Sequence, residues 1–320
     1  MEVTAIGVAV GSGLRDGHLG SLKEALAYIC DLGYTAAEIN AASVSAIING
    51  RLHAAQAERL ADVLKSFPLH YSVHAPNRLN LAYGVPTEAQ TAVFEACLEL
   101  CARIGASVLV YHSGLQALDA ARAGLCPLPD EEELRRGRER EVEGLRELAR
   151  IAYDMGVTIA MENGDPHLWE IQLLRAHGVA PEELPLYHER LRIPPIIEQI
   201  RAVNHPALGL CLDIAHLHIA AHVVGFDYLE AVKQAAPWTV HIHANDNFGA
   251  LDNGFDAEAD RLPFGEADLH LPPGWGAIPF SAVFQELGDY RGRLILEIKP
   301  RYAEHLGESL AMIGSLVNSA

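Results

Sequence analysis

Short apolar segments alternate with longer amphipathic segments along the whole chain. Eight of the short segments have the composition expected of buried strands. They are AIGVAV (5–10), AAEIN (36–40), YSVHAP (71–76), SVLVYHSG (107–114), TIAMENG (158–164), LGLCLDIAH (208–216), TVHIHAND (239–246) and RLILEIKP (293–300). A segment with helical periodicity follows each of them. Eight successive strand–helix units predict an α/β fold, the (β/α)8 TIM barrel.

The chain is longer than such a barrel requires, because about 250 residues are typical of this fold and 320 are present. The surplus lies in three segments of loop composition, 115–129, 165–195 and 247–279. Each follows a strand, so each is expected at the C-terminal face of the barrel, where barrels of this type build their active sites. No linker-like tract divides the chain, which predicts one domain over residues 1–320.

The charge balance and the cysteines limit the partners and the compartment. The 24 Lys and Arg residues stand against 42 Asp and Glu, a formal charge of −18, which disfavours nucleic acid and anionic membranes as partners. Five cysteines form no CxxC pair and suit reduced thiols. The start of the chain has no basic leader and no apolar segment long enough to span a bilayer, so we expect a cytoplasmic protein.

Polar side chains interrupt the apolar strands near their C-terminal ends, which parallel packing brings to one rim. Two more, Asp268 and His270, lie in the loop segment 247–279. The candidate ligands are His74, His112, Glu162, Asp213, His216, His243, Asp268, His270 and Glu297. Four carboxylates and five imidazoles would be costly to bury together without a compensating cation. The set predicts a site for a divalent metal such as Zn²⁺, Mn²⁺, Co²⁺, Ni²⁺ or Fe²⁺, and its carboxylate-rich part also suits Mg²⁺.

Six motifs make the sequence resemble the xylose isomerase-like TIM barrels. They are HAPxxLNLA (74–82), ENG (162–164), CLDxAH (211–216), HxND (243–246), DxHLPPGxG (268–276) and LILE (294–297). That superfamily holds sugar isomerases and epimerases, inositol-pathway dehydratases and the endonuclease IV type of abasic-site nuclease. The resemblance to the isomerase branch implies a metal site of Glu162, Asp213, His243 and Glu297. It also implies that Glu162 and Glu297 lie on opposite faces of the substrate and move the proton.

The nuclease branch holds two further zinc subsites, and the resemblance gives these counterparts as well. In one subsite, His74 and His112 would share Glu162 with the central site. His216, Asp268 and His270 would form the other subsite. Together with the central site, the two subsites would make a multinuclear zinc cluster. Metal ligation alone therefore leaves sugar chemistry and phosphodiester hydrolysis open. Positions 77 and 78, where the nuclease branch carries apolar residues that wedge into the duplex, are Asn77 and Arg78 here, which favours a small substrate.

We therefore expect a metal-dependent isomerase or epimerase of a sugar or polyol. An endonuclease IV-like phosphodiesterase, a dehydratase or lyase of a keto-polyol on the same site, and a binding barrel without turnover are the alternatives. Trp169, Phe248 and Trp275 could stack on a sugar ring, with ordinary loop packing as the alternative, and Arg78 or Arg261 could reach a carboxylate or phosphate. The resemblance also suggests a homo-oligomer. We expect His241 to be a buried hydrogen-bonding residue, and Asp246 to form a turn.

Overall fold

Eight parallel strands close into a barrel in the computed structural model, which describes residues 1–10, 17–84, 86–114, 116–254 and 257–319. The strands are β1 Glu2–Val10, β2 Ala36–Asn40, β3 His70–His74, β4 Val108–His112, β5 Thr158–Glu162, β6 Leu208–Asp213, β7 Thr239–Ala244 and β8 Arg291–Leu296. Each strand pairs with its neighbours in sequence, and β1 pairs with β8 to close the barrel. All eight predicted strands are present, and the (β/α)8 barrel is confirmed.

Helices surround this barrel in the described residues. They are α1 Leu19–Asp31, α2 Ala54–Leu64, α3 Thr87–Ile104, α4 Leu118–Arg122, α5 Glu131–Asp154, α6 Leu168–Ala176, α7 Leu184–Tyr187, α8 Ile193–Val203, α9 Ile214–Val224, α10 Tyr228–Ala235, α11 Glu258–Arg261, α12 Phe280–Glu286 and α13 Leu306–Val317. A two-residue hairpin pairs Ile47–Ile48 with Arg51–Leu52. No helix in these residues is both long and apolar enough to cross a membrane.

The main hydrophobic core lies between the strands and the helices. Outward-facing strand residues such as Ile39 and Leu212 are fully buried against inward-facing helix residues such as Leu26, Leu60 and Phe94. Burying one such side chain stabilises the fold by about 1.5–3 kcal/mol. Inside the barrel, two smaller apolar clusters fill the lower part, and the polar residues lie at the strand ends. The clusters are Val108, Val110, Ala160 and Cys211, and Ala5, Ala36 and Ile295.

The charged helix α5 is exposed on one face and buried on the other. Its buried positions, which include Leu134, Leu145 and Leu148, recur at helical spacing. On the outer face, Arg135 and Arg136 pair with Glu132 at 2.7 and 3.0 Å. The solvated face that the alternating charges predict is therefore present. Among the charged residues of this helix, Glu141 differs because it lies on the inner face and is fully buried.

The three long loops each contain short helices that their composition does not predict. Segment 115–129 contains α4, segment 165–195 contains α6, α7 and the start of α8, and segment 247–279 contains α11. The last loop is held by Asp246, whose carboxylate accepts backbone N–H groups of Gly274, Gly276 and Ile278 at 2.8–3.2 Å. Positions 115, 255 and 256 of these loops lie outside the described residues.

Candidate metal centre

The C-terminal ends of the strands bring their polar residues to one rim of the barrel. His74, His112, Glu162 and Asp213 are the last residues of β3, β4, β5 and β6, and His243 is the last but one of β7. Glu297 directly follows β8, where its backbone N–H donates to Ala244 of the neighbouring strand. Parallel pairing of all eight strands is thus what makes residues far apart in sequence converge.

Four of these residues form a compact group at the centre of the rim. Glu162, Asp213, His243 and Glu297 each offer one ligand atom, and the four atoms lie within 4.8 Å of one another. His243 Nδ1 lies 3.0 Å from Glu162 Oε1 and 3.5 Å from Glu297 Oε2. Three carboxylates and one imidazole around a common point are a donor set that divalent cations prefer.

Asp213 provides the clearest sign that the group fits a cation. Its Oδ1 accepts the backbone N–H groups of Ala215 and His216 at 2.8 and 2.7 Å, which caps helix α9. Its Oδ2 is buried and accepts no hydrogen bond from the described residues. A buried carboxylate oxygen without a donor is costly, and a bound cation would remove that cost.

Two further sets adjoin the central group. His112 Nε2 and His74 Nε2 lie 2.9 and 3.4 Å from the same oxygen, Glu162 Oε2. On the other side, Asp268 Oδ2 lies 2.6 Å from His270 Nε2 and 3.5 Å from His216 Nε2. All nine residues that the sequence singles out as candidate ligands therefore lie in one connected cluster.

The ring of His270 is held by a backbone contact and an unusual backbone conformation. Its φ of 48° lies in the left-handed region, which costs free energy for a residue with a side chain. Its Nδ1 lies 2.7 Å from the carbonyl oxygen of Glu297, and this leaves Nε2 facing Asp268. The strained conformation thus orients this imidazole within the cluster.

The electrostatics reflect the crowding of ionisable groups. Burial lowers the pKa of His74, but the nearby carboxylates of Glu162, Glu38 and Glu297 together outweigh it and raise that pKa to about 9. At His112 burial dominates, and the pKa falls to about 4. Burial raises the pKa of Asp213 to about 7, against the opposing charge of His216 and with the support of nearby carboxylates. In the absence of a cation, protons on the imidazoles offset part of the negative charge.

Glu38 of strand β2 is a member of the cluster that sequence reasoning missed. It is 1% exposed, and its Oε1 lies 3.0 Å from His243 Nε2. Its Oε2 lies 3.1 Å from His241 Nε2, so His241 contacts a carboxylate below the rim, as a buried hydrogen-bonding residue would. The only signal in the sequence is an acidic residue within the otherwise apolar strand segment AAEIN.

A cavity of about 210 Å³ opens onto the cluster. The candidate ligands His74, His112, His216, His270 and Glu297 form part of its wall, together with Glu38. The rest of its wall consists of Ala9, Val10, Asn40, Asn77, Ile298 and Lys299. Its volume is below the range of about 300–1,000 Å³ typical of pockets for drug-sized ligands, so the cavity suits a small molecule.

Of the six candidate substrate-binding residues, Asn77 lines this cavity in the described part of the chain. Arg78 is exposed and lines a separate groove. The remaining candidates lie in other surroundings. Trp169 packs beneath the guanidinium of Arg122, and Phe248 lies against Gly265. Trp275 packs on His305 and Tyr302. Arg261 is the last residue of the short helix α11. The three aromatic side chains contact other loop residues, and their stacking on a sugar stays a prediction.

The fold and the cluster together define a class: a (β/α)8 barrel with a candidate metal centre at the C-terminal ends of its strands. A family model described as xylose isomerase-like TIM barrel matches residues 26–316. The chain belongs to this family, which confirms the resemblance seen in the motifs.

Solved structures of similar fold include several sugar epimerases. A D-tagatose 3-epimerase-like protein has 20% identity and a TM-score of 0.65 over 99% of each chain. D-psicose 3-epimerase with D-tagatose from Clostridium cellulolyticum H10 has 14% identity and a TM-score of 0.68 over 98% of this chain and 99% of that chain. The IolI protein with a bound zinc atom has 20% identity and a TM-score of 0.65 over 99% of each chain. No match is found among curated proteins.

Proposed function

We propose that this protein is a divalent-metal-dependent isomerase or epimerase of a sugar, polyol or related keto compound. The observation that carries the proposal is the compact group of Glu162, Asp213, His243 and Glu297 beside a small cavity. Sugar epimerases are among the solved structures that share this fold.

The same four residues would hold the ion, which we expect to be Mn²⁺, Co²⁺, Ni²⁺, Zn²⁺ or Mg²⁺. When bound, a divalent ion polarises a carbonyl group and stabilises the negative charge that develops on its oxygen. Asp213 suits a purely ligating role because its Oδ1 is committed to capping a helix, while its Oδ2 is left for the ion.

Glu162 and Glu297 are the proposed acid–base pair. Each has an oxygen within 3.5 Å of His243 Nδ1, so both carboxylates border the same small volume. One would remove a proton from the carbon next to the carbonyl. In epimerisation the other carboxylate would return a proton to the opposite face of that carbon, and in isomerisation a proton would go to the neighbouring carbon.

The dimensions of the cavity support a monosaccharide-sized substrate. A cavity of about 210 Å³ has room for one small polyol. Asn77 lines it with an amide that can hydrogen-bond to hydroxyl groups. The exposed Asn77 and Arg78 are polar, whereas insertion between base pairs calls for apolar side chains.

Proton exchange with solvent tests this proposal even while the product is unidentified. The protein, loaded with Mn²⁺ or Co²⁺, is incubated in D₂O with a panel of ketopentoses, ketohexoses and keto-inositols. Deuterium is then followed by NMR at the carbons next to the carbonyl. We expect exchange with at least one of these compounds, and exchange that is slower by a factor of about 10²–10⁴ in the Glu297→Gln variant. Exchange accompanied by loss of water would assign the site to a dehydratase, and no exchange with any compound would contradict the proposal.

A second candidate function, hydrolysis of phosphodiesters, is favoured by a specific observation. All nine candidate ligands are connected, with two imidazoles on Glu162 Oε2 and two on Asp268 Oδ2. Phosphodiester hydrolysis uses clusters of two or three ions. Cleavage of abasic-site DNA or of bis(p-nitrophenyl) phosphate by the zinc-loaded protein would favour this function.

A further inference from the structure

Glu38 connects two strands that are not neighbours in the barrel. Strand β2 pairs with β1 and β3, whereas His241 and His243 belong to β7, which is separated from β2 by β8 and β1 on the shorter way around. The contacts of Glu38 with the two histidines, at 3.1 and 3.0 Å, therefore cross the inside of the barrel. The carboxylate lies directly beneath the candidate metal centre.

The two oxygens of Glu38 have different partners. Oε2 accepts the hydroxyl of Ser72 at 2.9 Å and also contacts His241 Nε2. Oε1 lies 3.0 Å from His243 Nε2, and neither atom has the geometry of a hydrogen bond, with the other or with any other described residue. This buried oxygen therefore faces His243 at ion-pair distance.

The orientation of the His243 ring determines which of its nitrogens is available to an ion in the central group. Its Nε2 faces Glu38, and its Nδ1 faces Glu162 and Glu297. Both nitrogens have a carboxylate oxygen at 3.0 Å, Glu38 at Nε2 and Glu162 at Nδ1, so the carboxylates alone do not select a tautomer. A neutral imidazole carries one proton, so an ion bound at Nδ1 would leave that proton on Nε2, beside Glu38. Partners of this kind on the second nitrogen of a metal-binding histidine fix the ring and its tautomer.

We propose that Glu38 is a positioning residue that holds His243 with its proton on Nε2 and its Nδ1 lone pair directed at the bound metal ion. This inference rests on the proposed function, because it requires that His243 binds the metal. It adds a carboxylate from the opposite side of the barrel, below the ligands, as a determinant of metal affinity.

Glu38→Gln tests the proposal with little change in size. The amide has one acceptor oxygen and one NH₂ group, so it cannot accept N–H groups from both imidazoles on separate oxygens. The measurement is the dissociation constant of Zn²⁺ by competition with a fluorescent chelator, with the fold checked by circular dichroism. We expect the affinity to fall about 10–100-fold in the variant, the usual effect of removing such a partner.

Glu170→Gln is the matched control. Glu170 is also fully buried beside a histidine, with Oε1 2.8 Å from His188 Nδ1, and it is not among the candidate ligands. We expect it to keep the wild-type affinity for Zn²⁺ even if it lowers the thermal stability. If Glu38→Gln binds Zn²⁺ as the wild type does, Glu38 has no positioning role and the proposed function stands. A wild type that binds no divalent ion overturns both.

A second measurement decides the matter if Glu38→Gln does not fold. In the zinc-loaded wild type, we expect an NMR signal from a ring N–H proton on Nε2 of His243. It should exchange slowly with water, and its assignment follows from its loss in His243→Gln. Zinc bound to Nε2, or a ring without a proton on that nitrogen, would overturn the proposal.

Discussion

At the scale of single residues, Glu297 has two roles in the proposed chemistry, as a ligand and as an acid–base group. Its Oε2 lies 3.5 Å from His243 Nδ1, and its side chain is 14% exposed at the edge of the cavity. Its backbone N–H donates to the carbonyl of Ala244, so it continues the pairing of the barrel one residue beyond the end of β8.

We predict that Glu297→Gln lowers the rate of proton exchange about 10²–10⁴-fold, because the amide cannot take up a proton at this position. The measurement is deuterium incorporation under saturating metal, so that weaker metal binding is separated from slower chemistry. The fold should be retained. A rate near that of the wild type would refute the acid–base role of this residue.

Substitution of Asp268 and His270 distinguishes a site that uses one ion from a site that uses several. Their contact, at 2.6 Å, lies beside the central group and does not include its four ligands. We predict that Asp268→Asn combined with His270→Ala lowers sugar turnover less than tenfold if the mononuclear site does the chemistry. A loss of 10³-fold or more, with a fall in zinc stoichiometry, would instead show that a multinuclear cluster is used.

The ligand types and their convergence follow from the sequence, whereas Glu38 does not. A polar residue at the end of a parallel strand must reach the common rim, so His74 and Glu162 could be placed from strand position alone. Glu38 lies inside its strand, and its partner His243 is 205 positions away in the chain. Only closure of the barrel brings β2 and β7 to opposite sides of one interior. No local sequence pattern therefore predicts the contact between Glu38 and His243.

At the scale of elements, helix α5 combines a solvated face with a buried carboxylate. Glu141 accepts the hydroxyl of Tyr111 at 2.9 Å, the side-chain amide of Gln199 at 2.8 Å, and the backbone N–H of Gly114. Burial, which exceeds the effect of these hydrogen bonds, raises the pKa of Glu141 to about 7. The helix therefore carries a group whose protonation is coupled to folding.

We predict that this coupling is visible in the pH dependence of stability. Below about pH 4.5, the ordinary pKa, Glu141 is protonated in both states. Between pH 4.5 and 7 the folded state keeps a proton that the unfolded state loses, so this residue's contribution to stability falls as pH rises. The fall amounts to about 3 kcal/mol and is complete above pH 7. Chemical denaturation of the wild type and Glu141→Gln gives their free energies of unfolding across this range. The free energy of the wild type relative to the variant should fall by this amount as pH rises. A difference that does not depend on pH would contradict the assignment.

The elements differ in how far sequence patterns could predict them. The strands follow from apolar segments because burial between helices and barrel interior imposes that composition. The short helices α4, α6, α7 and α11 do not, since tertiary contacts stabilise them. The surroundings of Trp169 and Trp275 depend on partners from other elements, Arg122 and His305. Loop composition alone gives no information about such contacts.

At the scale of the whole molecule, the barrel concentrates negative charge at one rim of an already acidic chain. The formal charge is −18, and the four candidate carboxylates lie within a few ångströms of one another or of shared imidazoles. A ligand that binds only the folded state stabilises it by mass action. The account therefore depends on a cation at this rim, because protons on the imidazoles, including His216 with Nδ1 3.5 Å from Asp213 Oδ2, offset only part of the negative charge among the described residues.

Elemental analysis of protein purified without added metal or chelator tests this dependence most directly. We predict about one equivalent of manganese, cobalt, nickel, zinc or magnesium per chain, removable by chelation with a fall in melting temperature. Two to three equivalents of zinc would support the multinuclear alternative and direct the work to phosphodiesters. Protein that contains no divalent ion, and that gains neither ions nor thermal stability when each is supplied, would contradict the account.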